Sequence, residues 1–313
     1  MRNYYILIKF ILSDIFVTFF LIIFSCMINK RVFIISNPYG RWGNRLILFT
    51  YMIAWAKQHD AIVLNPSFVE YSSYFKNFDR RVIGIIPNNI FKLIKIPVFL
   101  HDFSNESFKR ISYRKIKMMK IFCFDLETEN EDYGSKSFQN LLSSKKVIFF
   151  HGFLFGKRNF NLIKFQRNYF NSLFKFSDNI ISRSEEIIKS IPKHKIIGIC
   201  MRQGDYKNHF GGKLYLYDNE YKILIDRINE LLGNDYGVFV ACEEKKSEII
   251  HENAYFNYED PAVNLCTLSK CDYLIGPAST FMTWAAFLNN VPTCYIDRDN
   301  FKTKELRFFE TTF

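Results

Sequence analysis

The sequence lacks the spacings that specify metal or disulfide chemistry. Its seven cysteines (Cys26, Cys123, Cys200, Cys242, Cys266, Cys271 and Cys294) are odd in number and include no C-x-x-C pair. Its six histidines form no H-x-x-x-H pair. Structural zinc needs thiolates or imidazoles at close, regular spacing, so no metal site is expected. The thiols are expected to be reduced and mostly buried, as in a reducing compartment. No long basic block with interleaved aromatics occurs, so nucleic acid is not an expected partner. No repeat, low-complexity linker or G-x-G-x-x-G fingerprint is present either, so a dinucleotide fold cannot be claimed from a glycine motif.

What is present is apolar and basic. The 313 residues leave room for two domains, and with 49% apolar residues the chain has enough material for a large core. A net charge of +11 favours anionic partners such as nucleotide diphosphates or phospholipid surfaces. Residues 10–28 are mostly apolar, with Asp14 the only charged residue, and Lys30 and Arg31 follow them. Residues 1–30 are therefore expected to hold a hydrophobic, membrane-associated helix. A span, a surface helix and a helix packed on the soluble part all remain open, because a carboxylate in hydrocarbon costs a few kcal/mol. A small-residue cleavage site of the A-x-A kind is missing, which argues against a removable signal peptide.

Beyond residue 31 the pattern alternates between strand and helix. RVFIIS (31–36) and AIVL (61–64) read as strands around a helix over 44–59, in which Leu46, Phe49, Met52, Ile53, Trp55 and Ala56 share a face. Residues 65–145 predict mixed short elements, with a surface excursion around 125–138. KVIFF (146–150) is another strand, and helical pieces follow over 162–190, interrupted near Ser177–Asp178. Strands are expected at 195–201, 236–241, within 273–275 and at 292–296. Helices are expected from Asp218 or Asn219 to Leu232, stopped by Gly233, from Asp260–Pro261, and over 280–288. This order predicts an α/β chain whose parallel sheets are covered on both faces, with a boundary near 185–195.

Ligands of such sheets bind beyond the carboxyl ends of strands, and three loops there carry useful chemistry. Arg202-Gln203-Gly204-Asp205-Tyr206 follows a strand. The planar fork of Arg202 suits diphosphate oxygens, although a plain ion pair with Asp205 is the alternative. Gly276-Pro277-Ala278-Ser279-Thr280 opens a helix, where backbone N–H groups and two hydroxyls suit a phosphate; ordinary capping by Ser279 explains it equally well. Gly40-Arg41-Trp42-Gly43-Asn44 opens the first helix, and its glycines permit close backbone approach to a ligand. Glu243 and Glu244 follow a further strand. A carboxylate there can accept both the ring N–H and the exocyclic amine of guanine, or simply be solvated.

Together these loops resemble the α-1,2-fucosyltransferase family and its α-1,6- and protein O-fucosyltransferase relatives. The H-x-R-x-G-D-type segment is matched by Arg202, Gly204 and Asp205, with Cys200 in place of the histidine and Gln203 in place of a second arginine. The G-x-x-G-N segment is matched by Gly40, Gly43 and Asn44. The S-x-F-x-x-W-A-A-x-L segment is matched by Ser279, Phe281, Trp284, Ala285, Ala286 and Leu288, and HGFLFGKRNF is similar to the family's aromatic segment before the second domain.

The resemblance implies a GT-B-like fold: two Rossmann-like domains facing a cleft, 31–190 on the acceptor side and 191–313 binding the nucleotide sugar. It implies inverting transfer of L-fucose from GDP-fucose to a glycan hydroxyl, with no cofactor and no obligatory metal. Arg202 would hold the β-phosphate, Ser279 and Thr280 would add phosphate contacts, and Glu243 would read guanine. Gly43, Asn44 and Gly204 would line the donor site, with Asn44 at the donor–acceptor junction. Asp205 would be the base or would orient Arg202. The alternatives are the same fold with another sugar nucleotide, or a non-catalytic, membrane-associated nucleotide-sugar binder. A lipid-linked glycan acceptor at the cytoplasmic face of a bacterial inner membrane is the expected setting.

Overall fold

A computed structural model describes residues 29–35, 39–88, 90–95, 123–126, 132–243, 254–258, 260–302 and 306–309. The expected hydrophobic helix over 10–28, the end of the first strand at Ser36, and Glu244 lie outside these residues. Among the described residues, no helix is long and apolar enough to cross a membrane. The chain forms two compact units, Met1–Phe174 and Lys175–Phe313. The division falls ahead of the expected 190/191 boundary and assigns the helix Asp178–Ser190 to the second unit.

In the first unit, β1 (Arg31–Ile35), α1 (Trp42–Gln58) and β2 (Ala61–Leu64) form the expected strand–helix–strand unit. Then come β3 (Val82–Ile86), β4 (Lys92–Lys95), β5 (Cys123–Asp125), α2 (Lys136–Ser144), β6 (Val147–His151), α3 (Asn161–Lys164) and α4 (Arg167–Leu173). The six strands form one sheet in the order β4-β3-β2-β1-β6-β5. Here the all-parallel expectation is corrected. Strands β2, β1, β6 and β5 pair in parallel, but β3 runs antiparallel to both β2 and β4. The link from β3 to β4 is too short for a parallel crossover, so those strands can only turn back.

Helix α1 is buried on nearly every side from Leu46 to Ala56, as a helix that is apolar all round must be. Trp55 packs against Tyr133, Phe138 and Phe150, with ring centroids 5.7, 4.9 and 6.5 Å away. The expected surface excursion holds for Asp132, Gly134, Lys136 and Ser137, which are exposed, but Leu126, Tyr133 and Phe138 pin the segment to the core. The Tyr133 hydroxyl donates to the Leu126 carbonyl at 2.8 Å and accepts from the Gly156 N–H, which lets a polar ring be fully buried.

The second unit runs α5 (Asp178–Ser190), β7 (Lys195–Cys200), α6 (Asp218–Leu232), β8 (Tyr236–Ala241), β9 (Ala254–Asn257), α7 (Pro261–Leu268), β10 (Tyr273–Gly276), α8 (Thr280–Asn289) and β11 (Thr293–Tyr295). Its sheet is entirely parallel, in the order β11-β10-β7-β8-β9. Alternation along β7 covers both faces. Ile197 and Ile199 pack with Tyr221, Leu224, Ile225 and Ile228 of α6, while Gly198 faces Leu268 and Cys271 at the end of α7. Asp260 caps α7 as expected, its side chain accepting from the Ala262 N–H at 2.7 Å. Helix α6 is instead entered from Tyr217, whose N–H donates to the Glu220 carboxylate. The thiols of Cys200, Cys242, Cys266, Cys271 and Cys294 are buried.

Candidate active site

The strand order of the second unit contains a switch point. From β7 the chain winds outward to β8 and β9, then returns to lay β10 and β11 on the other side of β7. Loops leaving β7 and β10 therefore diverge and open a crevice at their carboxyl ends, where such sheets hold ligands. Arg202 leaves β7 there, and the 276–280 turn leaves β10.

The Arg202 loop is fixed from several sides. The Met201 N–H donates to the Ala241 carbonyl at 2.9 Å and prolongs the β7–β8 ladder by one residue. The Arg202 N–H donates to the Tyr221 hydroxyl at 3.1 Å, and Tyr221 is itself fully buried in α6. Gly204 then turns the chain at φ +44° into a short 3-10 turn, Gly204–Lys207. Gln203 is turned inward and buried. Its amide donates to the Leu216 carbonyl at 3.0 Å and to Asp218 at 2.7 Å, so it anchors the loop instead of facing a ligand.

The side chain of Arg202 is mostly buried and engages two carboxylates. One Nη donates to Asp205 at 2.7 Å, and the other donates to Glu243, which reaches over from the end of β8. The guanidinium also lies 5.0 Å from the centroid of the Tyr206 ring. Burial raises the Tyr206 phenol above its ordinary value, an effect that Arg202 partly offsets. Both earlier readings of Arg202 bear on this cluster: it is paired with Asp205, and it stands at the crevice.

The second loop lies alongside. The Tyr206 hydroxyl donates to the Ala278 carbonyl at 3.0 Å. Cys200 and Ser279 approach at 3.9 Å, Sγ to Oγ. Ser279 caps α8, accepting from the Met282 N–H at 3.2 Å, and Thr280 begins the helix. Burial pushes the Cys200 thiol up to about 11, despite relief from the Ser279 hydrogen bond and the nearby Arg202. The structure thus brings Arg202, Gly204, Asp205, Glu243, Ser279 and Thr280 into one neighbourhood. Tyr206, Tyr221 and the inward Gln203 also shape this site; the sequence placed Tyr206 and Gln203 in the loop without a role of their own and did not single out Tyr221.

Gly43 and Asn44 belong to the first unit. Gly43 is buried in the first turn of α1, and Asn44 is half-buried. Gly40 holds φ +63°, and a side chain there would collide with that of Asn44. Arg45 clasps this turn, donating to the Gly40 carbonyl at 3.1 Å and to Glu70 at 2.7 Å, with its guanidinium 5.0 Å from the Tyr71 ring centroid.

No protein-family model matches the chain, and no curated protein matches its sequence. Solved structures do resemble it. One is the α-1,6-fucosyltransferase NodZ soaked with GDP-fucose, at TM-score 0.53 and 14% identity over 90% of this chain and 100% of that one. Another is fucosyltransferase NodZ from Bradyrhizobium, at TM-score 0.51 and 13% identity over 85% and 95%. A third is a mutant of Arabidopsis thaliana FUT1 in complex with GDP, at TM-score 0.50 and 14% identity over 84% and 70%. The chain therefore has a mixed α/β fold, with one parallel-rich sheet in each unit, that resembles the fold of these fucosyltransferases.

Proposed function

We propose that the chain is an inverting glycosyltransferase that moves L-fucose from GDP-fucose to a glycan hydroxyl. One observation carries this reading. Arg202 and the 276–280 turn leave the two strands that flank the switch point, and Tyr206 ties them together. A cation fixed there meets the nucleoside diphosphate as it gains charge on departure, which is the task of a leaving-group stabiliser. The fold likeness to a protein soaked with GDP-fucose and to one bound to GDP supports this donor class.

On this reading Arg202 grips the β-phosphate, and the first turn of α8, with Ser279 and Thr280, adds donors. Gly204 keeps the backbone bare beside the donor, and Glu243 reads guanine. Asp205 orients Arg202, as their 2.7 Å contact supports. No metal is required, because the guanidinium supplies the positive charge. A lipid-linked glycan is the proposed acceptor, with residues 10–28 at the cytoplasmic face of a bacterial inner membrane. A second reading, the same chemistry with another sugar nucleotide, is favoured by Cys200, where the resembling families carry histidine.

The test is GDP release from GDP-fucose by the full chain, alongside a thermal-shift panel of GDP- and UDP-sugars. Release by the wild type and its loss in Arg202→Ala support the proposal. Equal release by both proteins overturns the role of Arg202, and stabilisation by a UDP-sugar alone favours the second reading.

A further inference from the structure

We infer that Glu243 sets donor selectivity by competing with the diphosphate for Arg202: a diphosphate that takes the guanidinium displaces this carboxylate, which then accepts from the guanine edge. The inference rests on the glycosyltransferase reading and adds to it a coupling between phosphate and base recognition.

The charges favour an exchange. One guanidinium lies between the carboxylates of Asp205 and Glu243, so the trio carries net negative charge. A diphosphate brought against that trio is repelled until one carboxylate leaves. One N–H on each Nη already donates to these acids, so a phosphate oxygen meets a guanidinium whose outer edge is partly committed to carboxylates.

Geometry selects Glu243 as the one that leaves. Asp205 lies three residues after Arg202 in the same loop, within the 3-10 turn Gly204–Lys207, and moves with it. Glu243 comes from a different strand end, on a side chain with three torsions. Its carboxylate rests over Gly204, where a Cβ would stand 2.6 Å from Oε2, so no side chain at that position confines it. The residue just before it, Cys242, is held meanwhile. The Cys242 N–H donates to the Asn257 carbonyl at 3.0 Å, and the Asn264 amide donates to the Cys242 carbonyl at 3.3 Å. Motion therefore falls to the Glu243 side chain, which swings from a fixed pivot at the carboxyl end of β8. A released carboxylate satisfies the paired N–H donors of guanine, which adenine does not offer. A diphosphate without a base displaces the acid and gains nothing in return.

The experiment measures binding of inorganic pyrophosphate, GDP and ADP to the full chain by calorimetry at fixed ionic strength. In Glu243→Gln, pyrophosphate is expected to bind about tenfold tighter, since its ionic competitor has gone. The advantage of GDP over pyrophosphate and ADP is expected to shrink in the same variant. Glu243→Ala provides a second variant and is expected to shift both quantities in the same directions. Unchanged or weaker pyrophosphate binding in folded variants overturns the inference, as does an undiminished preference for GDP. Arg202→Ala separates the two levels. If it binds GDP as well as the wild type, or if the wild type binds neither GDP nor pyrophosphate, the glycosyltransferase reading fails and takes the inference with it. If Arg202→Ala loses GDP while the Glu243 variants fail to tighten pyrophosphate, the reading stands and only the inference falls.

Discussion

The phenol of Tyr206 donates to the backbone carbonyl of Ala278 at 3.0 Å and so fastens the loop after β7 to the turn before α8. Removing the hydroxyl leaves the ring packed beside Arg202 but releases the two loops from each other. Tyr206→Phe is expected to lose about 1 kcal/mol of stability, as for a typical net hydrogen bond. Its KM for GDP-fucose should rise, because the phosphate-facing groups are no longer held in register. Urea denaturation and steady-state kinetics check the two effects, and a wild-type KM would show that the tie is structural only.

Arg202 should be irreplaceable by lysine. Lysine restores the charge but not the planar fork that spans two acceptors. Arg202→Ala is expected to lower kcat/KM by about two to three orders of magnitude, the scale seen when a fixed stabilising donor is removed. Arg202→Lys should recover only a small part of that loss. Full recovery in GDP-release assays would mean that charge alone suffices.

Gly204 holds a left-handed backbone, and its Cα faces the Glu243 carboxylate. Gly204→Ala is expected to cost about 1–2 kcal/mol for the backbone conformation alone, and to push Glu243 from its place. A urea midpoint equal to that of wild type, with an unchanged slope, would contradict this account.

The Cys200 thiol holds its proton well past the ordinary value of 9.0, to about 11, because burial disfavours the thiolate. Its folded-state value is raised, so this thiol leaves stability untouched below pH 9.0 and erodes it as pH climbs from there to about 11. Cys200→Ala should flatten that decline. At about pH 8 the native thiol should resist alkylation and react only after unfolding. Labelling followed by mass spectrometry reads this directly.

The second unit was the more legible half of the chain. Its strands are short apolar runs between capped helices. Asp260–Pro261 and Gly233 marked helix ends that the structure reproduces, Gly233 with φ +69°. The first unit was harder because its signals are non-local. Tyr133 and Phe138 read as part of a polar, acidic stretch, and only packing against Trp55 makes them core. The site's residue types were visible from their places after strands. Their partners were not: nothing local in Gln203 says that it turns inward to Leu216 and Asp218, and nothing in Glu243 says that it meets Arg202.

The residues joined by the Tyr206 hydroxyl lie 72 positions apart in the chain. They meet only once β10 has inserted beside β7, on the flank opposite β8 and β9. Loop closure over such a separation comes late, because its entropy must be met before the contact returns anything. Nucleotide affinity should accordingly be among the last properties this chain acquires during folding. A nascent polypeptide halted before β10 would carry the arginine without a pocket to use it.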